Sequence, residues 1–326
     1  LAAARGYRHR INSSGDDDVP TRLILNGKKA GRADVRAAVA AIRVGGHELD
    51  VRVTWEQGDA ARLVAEAAAE GVARVIAGGG DGSVNEVAAG IVGLEPSRRP
   101  ALGILPLGTA NDFATACGIP ADPVAALRLA VEGRAVPADV GRCNEAVFVN
   151  VASGGFGAAI TADTPVPLKN FLGGGAYTLM GLLKAIDFRP YEVAIRTPAG
   201  AEHGAFVVAA ICNGRQAGGG QPLAPAALID DGLLDAVFLR PFPVTSVPQV
   251  IDELLHRRDD GAFAVHRRLA WVEIEATSAV PVNLDGEPLQ ASRLRFSCEP
   301  AALTLVVPLE CPCLGGSPAH MAVPTR

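Results

Sequence analysis

The chain has no long run of lysine and arginine. Its 30 basic residues stand against 35 acidic ones, a net charge of −5 over 326 residues. That balance argues against nucleic acid as the main partner and against strong electrostatic anchoring to anionic membranes. It also lacks an uncharged apolar run of the ~20 residues that a spanning helix needs. The longest such run, 171–183, falls short and contains four glycines. Residues 1–18 are polar and charged and do not read as a signal peptide. The six histidines, His9, His47, His203, His256, His266 and His320, fit no triad spacing and read as surface or structural. The six cysteines make no disulfide framework. Cys117, Cys143, Cys212 and Cys298 read as small buried residues in strands or helix ends. Cys311 and Cys313 form a C-x-C pair with no companion pair at zinc spacing.

Two familiar phosphate motifs are missing as well. No Gly-Lys-Ser/Thr follows the glycines, so there is no Walker A loop, and no G-x-G-x-x-G dinucleotide fingerprint occurs. In their place residues 75–87 read VIAGGGDGSVNEV, a buried strand, a glycine turn and the first turn of a helix. Glycines let backbone N–H groups approach a phosphate closely, and a helix N-terminus favours the anion. Asp81 in that turn would repel phosphate unless a cation stood between them. Ser83 and Glu86 have capping-box spacing, and Val84, Val87, Ala88 and Ile91 form one apolar stripe.

A second strand-to-glycine turn, ALGILPLGTANDF, occupies 101–113, where Thr109 and Asp112 repeat the capping-box spacing. If the two strands are adjacent and parallel, both turns lie at one sheet edge, beyond the carboxyl ends, where open α/β sheets bind ligands.

The length allows two domains, and 49% apolar residues supply two cores. Residues 1–20 read as a disordered lead. Strand and helix signals then alternate: strands at 23–25, 49–55 and 72–77, helices at 34–43 and 59–70. This βαβα order predicts a doubly wound α/β domain over 21–136. After Val136 strand-like runs dominate, at 146–151, 191–196, 206–212, 234–239, 269–275 and 303–307, with helices near 177–188 and 247–256. That pattern predicts an antiparallel β-sandwich over 137–301. Residues 313–326 read as a mobile tail.

Two acidic turns lie in the second half. NLDGEP at 283–288 joins two strand-like runs through an Asp-Gly hairpin signal. Glu287 is there either an exposed turn acid or a general base for a hydroxyl. LIDDGL at 228–233 is either a solvated turn or an oxygen-ligand site. Thr54 ends a strand, and Arg215 in the loop 213–220 could meet a phosphate or solvent equally well.

Taken in order, GGGDGSVNE, LGILPLGTANDFA, NVASGGFG, CNGRQAGGG, LIDDGLL and NLDGEPL resemble the bacterial YegS-type lipid kinases of the diacylglycerol kinase catalytic-domain superfamily, over about residues 22–312. GGDG alone also occurs in NAD kinases and phosphofructokinases; the ordered set is far more specific. The resemblance implies an NAD kinase/phosphofructokinase-like Rossmann domain and a β-sandwich acceptor domain, with 302–312 returning to the first. It implies ATP-dependent phosphorylation of a lipid hydroxyl, phosphatidylglycerol or diacylglycerol-like, in phospholipid metabolism. It places Thr54, Gly80, Asp81, Gly82, Ser83, Val84, Asn85, Glu86 and Thr109 at the nucleotide and Glu287 at the proton transfer, with Asp81 beside it as a second catalytic carboxylate. It puts Mg²⁺ or Ca²⁺ at the Asp231 carboxylate and the Leu228 and Leu233 carbonyls. Ser83 stands where threonine is commoner, and Asp230 where asparagine is. The implied location is the cytoplasm, with transient peripheral contact at the inner membrane surface. The alternatives are an NAD kinase-like enzyme with a soluble acceptor, and a nucleotide- or lipid-binding module without turnover.

Overall fold

The fold comes from a computed structural model that describes residues 19–155, 190–256 and 261–316. The expectations for the lead 1–18, the apolar stretch within 171–188 and the chain beyond 316 lie outside those residues.

Four short apolar runs become parallel strands: β1 (Thr21–Asn26), β2 (Leu49–Thr54), β3 (Arg74–Gly79) and β4 (Ala101–Pro106), ordered β2-β1-β3-β4. Alternation along each strand feeds two cores. Leu23, Leu25, Ile76 and Leu105 face helices α1 (Ala33–Val44) and α5 (Pro123–Glu132). Ile24, Val75, Ala77 and Ile104 face α2 (Asp59–Ala69) and α3 (Asp81–Val92). Helices on both faces explain why β3 and β4 are buried almost throughout. The chain winds outward from β1 to β2, then returns past β1 to β3, so the switch in direction falls between β1 and β3.

The short helix α4 (Asp112–Ala116) follows β4, and β5 (Arg134–Cys143) opens the antiparallel half. There the order β14-β13-β10-β7-β15-β16 forms the sandwich, with β8 (Tyr191–Thr197) and β9 (Gly200–Phe206) hanging from β15. The path strands are β7 (Val151–Gly155), β10 (Val208–Cys212), β13 (Leu234–Leu239), β14 (Ala264–Leu269), β15 (Trp271–Leu284) and β16 (Glu287–Val307). Phe148, Phe206, Phe238 and Phe296 fill the core between them. A helix, α6, spans Val247–His256. No helix among the described residues is long and apolar enough to cross a membrane.

β16 belongs to both halves. Its first part pairs β15, and from Phe296 onward it also pairs β5, with a register shift between Glu299 and Leu303. Leu305 meets Leu102 of β4 in parallel register. The parallel sheet of the first half therefore continues into the sandwich.

Three local expectations fail. Neither capping box forms. α3 starts at Asp81 behind Gly80, with no side-chain cap, so Ser83 and Glu86 lie inside the helix. α4 starts behind Asn111, which sits at φ 52°, and Thr109 is exposed in the preceding turn. The run at 146–151 splits into β6 (Ala146–Phe148) and β7, because the Val149, Asn150 and Val151 amides turn to a side chain instead of a strand.

Candidate active site

The carboxyl ends of β1, β2, β3 and β4 supply four adjacent segments. Thr54 closes β2 opposite Asn26 of β1. Gly27 lets the chain pass close to the Thr54 carbonyl: a Cβ there would lie 2.3 Å from that oxygen. Asn26 reaches across the switch point, and its Nδ2 donates to Ser83 Oγ at 2.9 Å. Lys28 and Lys29 follow at the same edge.

The two glycine turns touch backbone to backbone. A Cβ on Gly108 would lie 2.6 Å from the Gly80 Cα. The Leu107 amide donates to the Gly79 carbonyl at 2.7 Å. Asn111 folds its side chain over the second turn, accepting from Gly108 N at 2.7 Å and donating to Gly108 O at 3.1 Å. Asp81 locks the turns together, its carboxylate accepting from the Asp112 amide at 3.2 Å and the Phe113 amide at 3.1 Å. It caps α4 from a neighbouring loop. Val84 and Asn85 are buried beneath the loop, so Val84 could meet a ligand only through its backbone.

From the other half, the β15–β16 hairpin descends on this loop. Asp285 and Gly286 take φ values of 50° and 106°, as a two-residue hairpin turn requires. The Asp285 carbonyl lies 3.9 Å from the Cβ position of Gly82. Asp285 itself is buried, accepting from the amides of Val149 (2.6 Å), Asn150 (3.1 Å) and Val151 (2.8 Å). Burial, with the Asp81 charge adding to it, outweighs those bonds and pushes its carboxyl up to about 6. Glu287, two residues on, is exposed. Glu86, itself exposed on α3, has its carboxyl raised first by desolvation and then by the Glu287 charge.

Asp112 makes the second tie between the halves. Its carboxylate accepts from Gly219 N at 2.9 Å and Gly220 N at 2.6 Å. Gly218, Gly219 and Gly220 all have positive φ, which aims these successive amides at one carboxylate. They form the turn between β11 (Gln216–Ala217) and β12 (Gln221–Pro222). Burial, then the Asp81 charge, raises the Asp112 carboxyl. In the sequence Asp112 has only a capping-box spacing and Asp285 only a hairpin turn, and Asn26 is not marked as a site residue. Asn26 carried one usable signal: an Asn-Gly pair ending the first strand of a doubly wound pattern. Arg215 is engaged within the protein, its guanidinium donating to the Ala227 and Pro312 carbonyls.

The turn with Leu228, Asp231 and Leu233 lies apart from the loop, against β14. Asp231 accepts from its own Leu233 amide at 2.9 Å and pairs with Arg268, which also stands 3.7 Å from Asp235. Asp139 holds the same turn through Gly232 N at 2.7 Å. Among the described residues no group of three or more Cys, His, Asp or Glu is placed to hold a metal. One carboxylate with two carbonyls suits a hard cation in kind, but here the carboxylate is already neutralised by an arginine. A cation here would compete with Arg268 for the Asp231 carboxylate.

Carboxylates from both halves thus surround a glycine loop whose first helical turn has no side-chain cap. Residues 20–143 match the diacylglycerol kinase catalytic domain, and residues 150–307 match the YegS C-terminal NAD kinase beta sandwich-like domain. The chain is 49% identical over 294 residues to a "Probable lipid kinase YegS-like" of Shewanella frigidimarina, covering 90% of this chain and 95% of the relative. A protein of the same name from Chromohalobacter salexigens is 51% identical over 294 residues, covering 90% and 94%. A diacylglycerol kinase crystal structure from Bacillus anthracis str. Sterne shares the fold, with a TM-score of 0.69 at 23% identity over 89% of this chain and 97% of that one. The chain belongs to the family of YegS-like lipid kinases.

Proposed function

We propose that this protein transfers the γ-phosphate of ATP to a hydroxyl of a membrane lipid of the phosphatidylglycerol or diacylglycerol kind. The observation that carries this reading is the descent of the Asp285–Gly286–Glu287 hairpin tip onto the glycine loop, with the Asp285 carbonyl 3.9 Å from the Cβ position of Gly82 and an exposed glutamate two residues on. Mg–ATP enters as the substrate. Gly80, Gly82 and the amides of the first turn of α3 receive its phosphates, while Thr54, Ser83 and Thr109 line the edge. Val84 and Asn85 support the loop from within, and Glu86 stands exposed on α3 toward the nucleotide. Asp81 keeps the two turns in register, so its catalytic part is positional. The bound Mg²⁺ offsets repulsion between the phosphates and the acidic cleft.

Glu287 takes the proton from the lipid hydroxyl as its oxygen attacks the γ-phosphorus, and the bond to ADP breaks in line. The sandwich presents the acceptor, and contact with the bilayer is peripheral and transient.

The test is to incubate the protein with ATP, Mg²⁺ and total bacterial lipid, with NAD in a parallel tube, and to identify products by mass spectrometry. A phosphorylated lipid is expected. Phosphorylated NAD would overturn the acceptor class, and nucleotide binding without any transfer would overturn the enzyme.

A further inference from the structure

The edge strand β2 runs out into an exposed tryptophan. Five large apolar side chains are exposed among the described residues, and two of them, Val53 and Trp55, stand together at this one strand end. The Trp55 side chain is 93% exposed. Tryptophan is highly buried on average, so a ring left in solvent is informative. The main chain that carries it is held still. Thr54 pairs with Asn26 of β1. The Asp59 carboxylate accepts from the Trp55 amide at 2.7 Å and the Glu56 amide at 3.1 Å, and Arg62 fixes that carboxylate at 2.6 Å. Gly58, at φ 90°, leads the turn into α2. The indole is therefore presented from a fixed backbone, an arrangement that spares ordering cost when a ligand covers it.

Its place in the sheet indicates the ligand. Strand order across the first half is β2-β1-β3-β4, and the sandwich joins beyond β4 through β16. The hairpin that bears Glu287 comes from the sandwich and meets the glycine loop at Gly82. A nucleotide whose terminal phosphate faces that hairpin extends its other end away from the sandwich, across β1 and toward β2. Neighbouring strands lie ~4.8 Å apart, so β2 stands about 10 Å from β3. An offset of that size separates the phosphates of a nucleotide from its base. Asn26, Lys28 and Lys29 lie between, and β2 is the last strand of the row.

With ATP as the donor, on which this step rests, we infer that Trp55 is the platform on which the adenine ring stacks. It determines binding at the base end of the nucleotide and touches neither the γ-phosphate nor the acceptor. A flat indole face suits any purine, because every base has a π-face to offer. The phosphates are then held by the glycine turns and the base by one aromatic ring, from opposite ends of the same sheet edge.

The experiment uses the full chain with Trp271→Phe, which leaves Trp55 as its single tryptophan. Mg–ADP and magnesium tripolyphosphate are titrated in parallel, by calorimetry for affinity and by acrylamide quenching of fluorescence for cover of the ring. ADP should change the Trp55 emission and shield it from acrylamide. Tripolyphosphate, which carries the charge without a base, should do neither. Trp55→Ala uncovers nothing buried and should keep the fold. It should weaken ADP roughly 5–100-fold, the range that one base–aromatic stack supplies, and leave tripolyphosphate unchanged. Trp55→Phe should restore most of the ADP affinity. ADP bound by calorimetry with Trp55 still open to acrylamide would overturn the inference and leave the kinase reading standing. Equal weakening of ADP and tripolyphosphate in Trp55→Ala would also overturn it, since the ring would then serve only the fold. Shielding by phosphatidylglycerol vesicles and not by ADP would assign the ring to the bilayer instead. No binding of ADP to the wild type would overturn the nucleotide reading, and this inference with it. The shielding by ADP decides the matter even where tripolyphosphate binds too weakly to measure.

Discussion

Glu287 and Asp285 sit on one hairpin and are separated by a glycine, yet their environments assign them opposite work. Glu287 is exposed, so Glu287→Gln should leave the melting temperature nearly unchanged. If it accepts the lipid proton, kcat should fall by ~10²–10⁴-fold while ATP affinity holds, because the nucleotide contacts come from the other half. Turnover and nucleotide binding measured on one preparation check this, and joint loss of both would make Glu287 an organiser of the cleft. Asp285 is buried under three amide donors, so Asp285→Ala strands those donors and should cost about 3 kcal/mol or more in chemical denaturation. Its titration has a definite sign. The folded pKa of about 6 lies above the unfolded carboxylate value of ~3.9. The favourable share of Asp285 is therefore complete below the unfolded pKa and is lost as pH rises through the folded one. Denaturation midpoints should fall across that window in the wild type and fall less steeply in Asp285→Asn, which cannot ionise. Asp112, also raised, keeps some slope in both proteins.

The two glycine turns work as a pair. A Cβ at Gly108 would meet the backbone of Gly80, so no rotamer change relieves Gly108→Ala. The turns must part, and the variant should lose ATP binding with a stability loss of about 1–3 kcal/mol, read by nucleotide titration and by melting. The acidic turn before β13 yields a different test. Its ion pair with Arg268 is half exposed and contributes little on its own, ~0–1 kcal/mol. If the turn takes Mg²⁺ or Ca²⁺, Arg268→Ala should raise cation affinity, seen as a larger rise in melting temperature on adding the ion, and Asp231→Ala should abolish that rise. No cation effect in Arg268→Ala would leave the turn as a plain ion pair. These elements also show where sequence reading succeeds. Strands β1 to β4 and helices α1, α2 and α3 are legible because each depends on its own alternation or stripe, such as Val84, Val87 and Ile91. The Asp-Gly hairpin is legible for the same reason. The capping boxes are not, because α4 is capped by Asp81 from another loop and α3 begins behind a bare glycine. The break between β6 and β7 is set by Asp285, far along the chain, and the partner of Asp112 is likewise remote. Local patterns name the turns; only long-range partners decide which carboxylate is buried and which is free.

One strand carries the consequences for the molecule. β16 leaves the hairpin that bears Glu287, pairs with β15, shifts register beside Ala301, and ends against β5 and β4. At the shift, Asp139 of β5 accepts from Ala301 N at 2.8 Å while its other oxygen holds Gly232, so the crossing point is pinned from both halves. The hairpin and the sheet that carries the glycine loop are therefore joined by one continuous strand. Leu303, Leu305 and Val307 pack in the core shared with α2 and α3. A fragment ending at residue 143 would keep β1 to β5 but lose those side chains and leave β4 with a bare edge. We expect it to be aggregated or unfolded, whereas the full chain should unfold in a single calorimetric transition. Leu305→Ala tests the link within the intact protein. Leu305 is fully buried, and truncating it should cost about 2–5 kcal/mol. Because β16 joins the two cores, that loss should lower one common transition, with fluorescence from Trp271 on β15, read in a Trp55→Phe background, changing together with the far-ultraviolet helix signal of the first half. If the helical signal melted early and Trp271 reported a later, unshifted transition, the halves would be thermodynamically separate, and the hairpin's hold on the glycine loop would rest on Asp285 and Asp112 alone.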